Sequence, residues 1–244
     1  MIIVELVYRP ESITMRKRLL SRIRVNKRGQ SFVELMLVVL ILAFMLSGVV
    51  EFGMLLNDYL KVLDGAREGA RFSSSSVAFN PATGSSYQLF YVNAAIESLR
   101  VMSPINLNGD RGDDLLVSVF SVAGSSITRY PLGYAFGWSL CANYNNALLR
   151  TTMAANLTLD QYNAFIAGWS ACTVRHSHFT TGQVLANMDS SAPGSGVLLV
   201  EVYFNYPQML KLPVFEQVIP DPIPVYTYSI MPISSAEPTA TPGH

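Results

Sequence analysis

The feature that most constrains this chain is an uninterrupted apolar run at residues 32–50. It holds nineteen residues, most of them Leu, Val, Ile and Met, with no proline and with Glu34 as its one charged member. In an α-helix the run would extend about 28 Å, close to the thickness of the hydrocarbon core of a bilayer. We therefore predict a transmembrane helix.

A buried helix of a soluble domain and a cleaved secretory signal are the two alternatives to an anchor. The length of the run and its basic flank argue against a buried helix. A secretory signal would have a shorter apolar region, followed by a small-residue cleavage site and a break. Here Glu51, Phe52 and Gly53 lead into more helical sequence, so the residues favour an anchor.

The charges of the chain are distributed very unevenly. Residues 1–29 hold eight Arg and Lys against Glu5 and Glu11, whereas the remaining 215 residues hold nine basic and fifteen acidic groups. Basic clusters can bind nucleic acid, but this one directly precedes the apolar run, so we expect no nucleic-acid partner. Lys and Arg before a first helix remain in the cytoplasm. We predict a basic cytoplasmic leader at 1–29, a single-pass span in the cytoplasmic membrane and the C-terminal domain outside.

The helical pattern continues beyond the apolar run. Apolar residues recur at helical spacing on one side of this continuation, at Leu55, Tyr59, Val62, Leu63, Ala66 and Ala70. The serine run at 73–76 ends the pattern. We predict one helix over 30–76, with a transmembrane half and an amphipathic stem whose apolar stripe packs against the C-terminal domain. Gly29 would separate this helix from the leader.

Several motifs along this helix resemble those of one family. They are Arg28-Gly29-Gln30-Ser31-Phe32-Val33-Glu34, the apolar run, Val50-Glu51-Phe52-Gly53, and Ala66-Arg67-Glu68-Gly69-Ala70-Arg71. In this order and spacing they are similar to the TadE-like family, which comprises pilin-like components of tight-adherence (Tad) pilus and secretion systems.

The resemblance implies a processing site and an assembly residue. Type IV prepilins, to which the family is similar, are cut by a prepilin peptidase after a glycine, and the fifth mature residue is a glutamate. On this chain the cut falls between Gly29 and Gln30, and Glu34 is the fifth residue. The residues alone leave a simpler interpretation of Glu34 open, since a carboxylate near a helix N-terminus is favoured by the helix dipole.

The region at 77–233 is expected to form an extracytoplasmic α+β domain, namely a small antiparallel sheet with a helical insertion. We predict a helix at 87–100 and strands at 115–122, 197–206 and 224–230, the last at a sheet edge because prolines flank it. The excursion at 123–192 should hold a helix at 159–172, capped by Thr158 with Gln161 three residues later. The proline-rich tail at 234–244 is predicted to be disordered.

Chemical motifs are sparse in this domain. His176 and His178 could supply two metal ligands, but no matching set of Cys, His or carboxylates surrounds them in the sequence. The acidic loop at 106–114 could hold Ca²⁺, although a turn explains it as well and it lacks the glutamate of an EF-hand. We find no Walker loop, nucleophile elbow or dinucleotide fingerprint. We therefore expect no cofactor, no metal and no enzymatic activity.

Cys141 and Cys172 are the two cysteines of the chain. A domain outside the membrane meets oxidising conditions, so the two should form a disulfide. The alternative is a pair of buried free thiols.

Two functions from different classes fit the sequence. The first is a minor pilin or pseudopilin that contributes to assembly of a Tad-type pilus or secretion apparatus, with an outer domain that caps, initiates or adheres. Its partners would be the lipid bilayer, the prepilin peptidase and other pilin-like subunits, in a homo- or hetero-assembly through the N-terminal helix that could reach the surface as a pilus. The second is a signal-anchored extracytoplasmic binding domain that enters no filament.

Overall fold

The computed structural model describes residues 27–80, 83, 85–123, 126–132, 137–187, 194–211 and 219–234. The leader before residue 27 and the predicted disordered tail beyond residue 234 lie outside the described residues. The chain divides into two compact units, Met1–Val50 and Glu51–His244.

Helix α1, Lys27–Ser74, is 48 residues long and confirms the long N-terminal helix that the sequence predicts. Its described part begins at Lys27, so Gly29 is part of the helix, whereas the sequence interpretation placed it before the helix start. The helix is long and apolar enough to cross a membrane, and none of its most apolar window is buried by protein.

The sheet of the second unit is antiparallel and has the strand order β2-β1-β4-β5, with the short strand β3 also paired to β1. The strands are β1 Asp114–Ala123, β2 Ser126–Tyr130, β3 Trp138–Ser139, β4 Gly194–Tyr206 and β5 Ile223–Pro232. All three predicted strands are present, and β5 lies at an edge, as its prolines indicate. Strand β2 was not predicted. It turns the start of the predicted excursion into a hairpin with β1.

Among the described residues, the α+β domain has five further α-helices. They are α2 Gln88–Met102, α3 Leu140–Asn143, α4 Ala147–Asn156, α5 Leu159–Ala167 and α6 Thr181–Asn187. The predicted capping box of Thr158 and Gln161 opens α5. The predicted end of this helix at residue 172 is wrong, because Gly168 leaves the helix and its carbonyl accepts a hydrogen bond from the amide of Asp110.

Hydrophobic side chains pack on both faces of the sheet. Alternate residues of β4 point to opposite faces. Val200, Val202 and Phe204 join the main core, which also contains buried residues of α1 and α2. Leu199 belongs to a smaller core that includes Phe120 and Val184. This second core is covered by the segment around α6, so β1 is buried along most of its length.

The predicted stem stripe faces the main core of the second unit. Val62, Ala66 and Ala70 have no exposed surface, and Leu55 packs against the same core. The prediction that the stem's apolar side packs on its own C-terminal domain is therefore confirmed.

Candidate functional site

The first unit presents a helical surface that is apolar on all sides. From Phe32 to Leu46 every residue is exposed, and large side chains such as Leu40 at 70% and Leu46 at 66% meet no protein cover within the described chain. The hydroxyl of Ser47 donates to the carbonyl of Ala43 at 2.8 Å, so this polar group is satisfied inside the helix. A helix that is hydrophobic all round requires lipid or other helices around it.

The predicted processing and assembly residues lie together at the start of this surface. Gly29 is helical and lies near the start of the described part of α1. Gln30 and Glu34 are exposed and four residues apart, a spacing that puts both side chains on one face of the helix. The structure thus places Gln30 and Glu34 on one exposed helical face, while their functional roles stay predictions.

The stem packs against α2 through two glycines, Gly65 and Gly69, to which the sequence interpretation gave no packing role. A Cβ atom at Gly69 would lie 1.9 Å from Ser98 Oγ and 2.8 Å from the carbonyl oxygen of Ala94. One at Gly65 would lie 2.3 Å from Met102 Cγ. Glycine therefore allows the two helix backbones to approach closely. The four-residue spacing of the two glycines was a signal that could have revealed this contact.

Glu51, the first residue after the apolar run, holds a loop of the second unit. Its carboxylate accepts hydrogen bonds from the hydroxyl of Tyr206 at 3.0 Å and from the amides of Met209 and Leu210, each at 2.9 Å. Burial, followed by the hydrogen bond to Glu51, raises the pKa of Tyr206 above its ordinary value. Three donors converge on one carboxylate, so Glu51 fixes the chain that leaves β4.

The predicted cysteine pair is joined in the structure. The sulfur atoms of Cys141 and Cys172 are 2.06 Å apart, in a disulfide that spans 31 residues. Next to it, the buried Asp114 carboxylate accepts bonds from the amides of Cys141 at 3.0 Å and Arg175 at 3.0 Å, and from the hydroxyl of Ser139 at 2.8 Å. Burial is the largest influence on Asp114 and raises its pKa. The disulfide and this carboxylate together fix the insertion to β1.

The acidic loop at 106–114 forms a turn, the interpretation that the sequence favoured. A 3₁₀ turn at Gly109–Arg111 is capped by Asn108. Asp113 accepts from the amides of Asn205 at 2.7 Å and Asn108 at 2.8 Å and pairs with Arg111 at 2.8 Å. Among the described residues, no group of three His, Cys, Asp or Glu side chains is placed to hold a metal ion.

His178 lies beside a group of aromatic rings on the second face of the sheet, and the carbonyl of His176 accepts a hydrogen bond from the hydroxyl of Tyr203. His178 Nδ1 is 2.9 Å from the hydroxyl of Tyr203, and its ring lies 4.2 Å from that of Tyr226. Both the amide of His178 and the hydroxyl of Tyr226 donate to buried Glu201, at 2.9 and 2.7 Å. Burial and this bond raise the pKa of Tyr226. His178 therefore helps to attach the segment after the disulfide to the sheet.

These features describe a protein with one exposed apolar helix that continues as the packed stem of a disulfide-bonded α+β domain. Residues 29–71 match the family model described as TadE-like protein, which confirms the resemblance suggested by the sequence motifs. The match covers less than a fifth of the 244-residue chain. No curated protein and no solved structure matches the chain.

Proposed function

We propose that this chain is a minor pilin or pseudopilin-like membrane protein that contributes to the assembly of a Tad-type pilus or secretion apparatus. The observation that carries the proposal is the extent of the family match. It begins at Gly29, includes Glu34 and the whole apolar run, and ends in the stem at Arg71. The apolar part of this stretch has no protein cover in the described chain. Lipid before assembly and other pilin-like helices afterwards would cover it.

The proposed topology places residues 1–29 in the cytoplasm and the second unit outside. The basic leader supports this orientation, because Lys and Arg are retained on the cytoplasmic side. The Cys141–Cys172 disulfide supports it independently, since disulfides persist in oxidising compartments. A prepilin peptidase would cut between Gly29 and Gln30, and the proposal gives the chain itself no catalytic role.

Cleavage would create a charge pair that can act between subunits. The new α-amino group of Gln30 is positive at neutral pH. It would lie at a helix N-terminus, where the dipole disfavours a cation. The carboxylate of Glu34 on a neighbouring subunit could pair with this amine, and the attraction is larger near lipid than in water. Glu34 would in this way set the offset between adjacent helices in an assembly.

Two substitutions test the proposal together. Glu34→Gln should leave membrane insertion and leader removal intact but lower recovery in sheared or crosslinked assemblies, about tenfold if the pairing contributes about 1.4 kcal/mol. Gly29→Val should block leader removal itself, which gel mobility detects. Asp64→Asn is the matched control, because Asp64 is an exposed carboxylate of the same helix that forms a surface ion pair with Arg67.

The outcomes separate the two functional classes. If Glu34→Gln is incorporated as well as the parent and Asp64→Asn, Glu34 is only a helix-start residue and the assembly role loses its main support. If the parent chain keeps residues 1–29, the signal-anchored extracytoplasmic binding domain is the better description.

A further inference from the structure

The loop after β4 is hydrogen-bonded to Glu51, the residue that directly follows the apolar run. Glu51 follows Val50 directly, and its carboxylate binds the amides of Met209 and Leu210 at 2.9 Å. Both bonds use backbone groups of the loop, so they do not depend on its side chains. Met209 and Leu210 are therefore held close to Glu51, which is one residue beyond the end of the apolar run.

The side chains at this end of the second unit are apolar and uncovered. Met209 is 64% exposed, Leu210 39% and Phe52 65%. Lys211, which is also exposed, follows directly. Phe52 also lines an apolar groove of about 330 Å³ between the first turns of the stem and β5. Large exposed apolar side chains on residues that adjoin Glu51 or are hydrogen-bonded to it are typical of an interaction surface.

The expected depth of Glu51 in the bilayer indicates which partner this surface contacts. The polar headgroup layers add roughly 5–8 Å on each side of the hydrocarbon core, and a helix rises 1.5 Å per residue. If residues 32–50 span the core, Glu51 lies at the inner boundary of a headgroup layer. The loop amides bound to its carboxylate then lie in that layer too. Apolar side chains next to a lysine are typical of segments that rest in the membrane interface.

We propose that Met209 and Leu210 form a lipid-contacting seat, held by the Glu51 carboxylate, that rests the outer domain on the membrane surface. Lys211 would contact lipid phosphates, and Phe52 would lie beside the seat. The proposal rests on the membrane-spanning part of the proposed function but not on filament assembly. The bilayer is the occupant, and a second copy of the chain is the competing one.

Depth-dependent quenching tests the seat on the full chain. The native cysteines are bonded to each other, so a cysteine introduced by Met209→Cys or Leu210→Cys provides one free thiol for a fluorophore. The hydrogen bonds to Glu51 come from the backbone amides of residues 209 and 210, so neither substitution removes them. The protein is placed in nanodiscs at one copy per disc, with nitroxide lipids labelled at the headgroup. Val77→Cys is the control, since Val77 is 55% exposed and lies beyond the far end of α1.

The labels at residues 209 and 210 should be quenched at least about threefold more strongly than the label at residue 77. Equal quenching at all three positions would overturn the proposal. Quenching or protection that appears only with two copies per disc would also overturn it and identify a second copy as the occupant. Leu42→Cys with acyl-chain nitroxides tests the anchor separately. If the label at residue 42 is not quenched, the proposed membrane-spanning helix is wrong, and the proposed lipid contact of Met209 and Leu210 is wrong as well.

Glu51→Gln tests the hydrogen bonds between Glu51 and the loop after β4. Glutamine offers one acceptor oxygen where the carboxylate offers two, so it cannot hold all three donors in the present arrangement. The quenching at residue 209 should fall towards the value of residue 77, and the amides of Met209 and Leu210 should exchange hydrogen faster. Asp58→Asn, a substitution two turns further along the same helix, should change neither the quenching at residue 209 nor the hydrogen exchange. Unchanged quenching and exchange in Glu51→Gln would refute the role of Glu51.

Discussion

The two halves of helix α1 have similar backbones and opposite surroundings. Between residues 30 and 50 nearly every side chain is exposed, although the residues are among the most apolar of the chain. Between residues 51 and 74 one side of the helix is buried, with Val62, Ala66 and Ala70 completely inaccessible. Within the described residues nothing buries the most apolar window of the first half, whereas the second half packs on a core of the same chain.

The difference shows why the same residue type has a different role in each half. In the proposed membrane-spanning role an exposed leucine of the first half contacts lipid or another helix, whereas an exposed leucine of the stem, such as Leu60, contacts water. Within the second half the surroundings also differ from turn to turn, because a Cβ atom at Gly53 would meet no atom within 4 Å, whereas one at Gly69 would overlap Ser98 Oγ of α2. Pairs of matched substitutions can therefore separate the two environments.

Leu40→Arg and Leu60→Arg should differ most. Both leucines are exposed, at 70% and 50%, but only Leu40 is near the centre of the apolar run. Replacing leucine by arginine there should make membrane insertion less favourable by about 3–4 kcal/mol, and the same change at Leu60 should have almost no effect. The measurement is an insertion assay on a background in which other leucines of the run are alanine, so that half of the chains insert. Equal effects at both sites would contradict a division between lipid and water.

Removal of the disulfide should affect the second unit alone. Replacing both cysteines by serine opens a loop of 31 residues and should lower the free energy of unfolding by roughly 3–4 kcal/mol in the chain-entropy model. Denaturant unfolding of the detergent-solubilised chain, followed by near-UV circular dichroism, would report the loss. Membrane retention of the serine variant should equal that of the parent. Maleimide labelling of two thiols in the unreduced, denatured parent would show instead that the cysteines are free.

Gly69→Ala and Gly53→Ala should have opposite signs. The new methyl group at residue 69 would overlap Ser98 Oγ and a backbone carbonyl, which should destabilise the domain by about 1–3 kcal/mol. At residue 53 nothing lies within 4 Å, so alanine should stabilise the helix by up to about 1 kcal/mol. Thermal unfolding of the two variants under the same conditions gives the comparison. A stabilised Gly69→Ala would mean that the stem does not pack on α2 as described.

The exposed side of the stem should contribute least. Glu68 accepts hydrogen bonds from Arg71 at 2.9 and 2.7 Å, and the bond from Arg71 lowers the pKa of Glu68. A lowered carboxyl pKa stabilises the fold at neutral pH, and this contribution is lost as the pH falls through it. Glu68→Gln should therefore change the unfolding midpoint only slightly at neutral pH and not at all in strong acid. A large loss at high salt would show that Glu68 has a buried role.

Local patterns in the sequence were sufficient for the long elements of the fold. The apolar run, the stem stripe and the β-branched and aromatic residues of β4 each extend over many residues, so helix α1 and the central strands could be predicted with nearly correct ends. The capping box at Thr158 was equally local. The disulfide followed because the chain has only two cysteines.

Features that depend on tertiary contacts were missed. The end of α5 at Ala167 is set by the contact between Gly168 and Asp110, which are far apart in sequence. The role of Asp114 arises from donors in β3, α3 and the segment after the disulfide. Glu51 appeared in a recognised motif, but its partners lie more than 150 residues away. No periodicity marks such contacts.

The N-terminal sequence of the protein extracted from membranes tests the central claim most directly. The pilin-like account predicts that the mature chain begins Gln30-Ser31-Phe32-Val33-Glu34, with residues 1–29 removed, and that Gly29→Val retains the leader. A mature chain that still carries the basic residues of the leader, in cells that express the prepilin peptidase, would contradict that account.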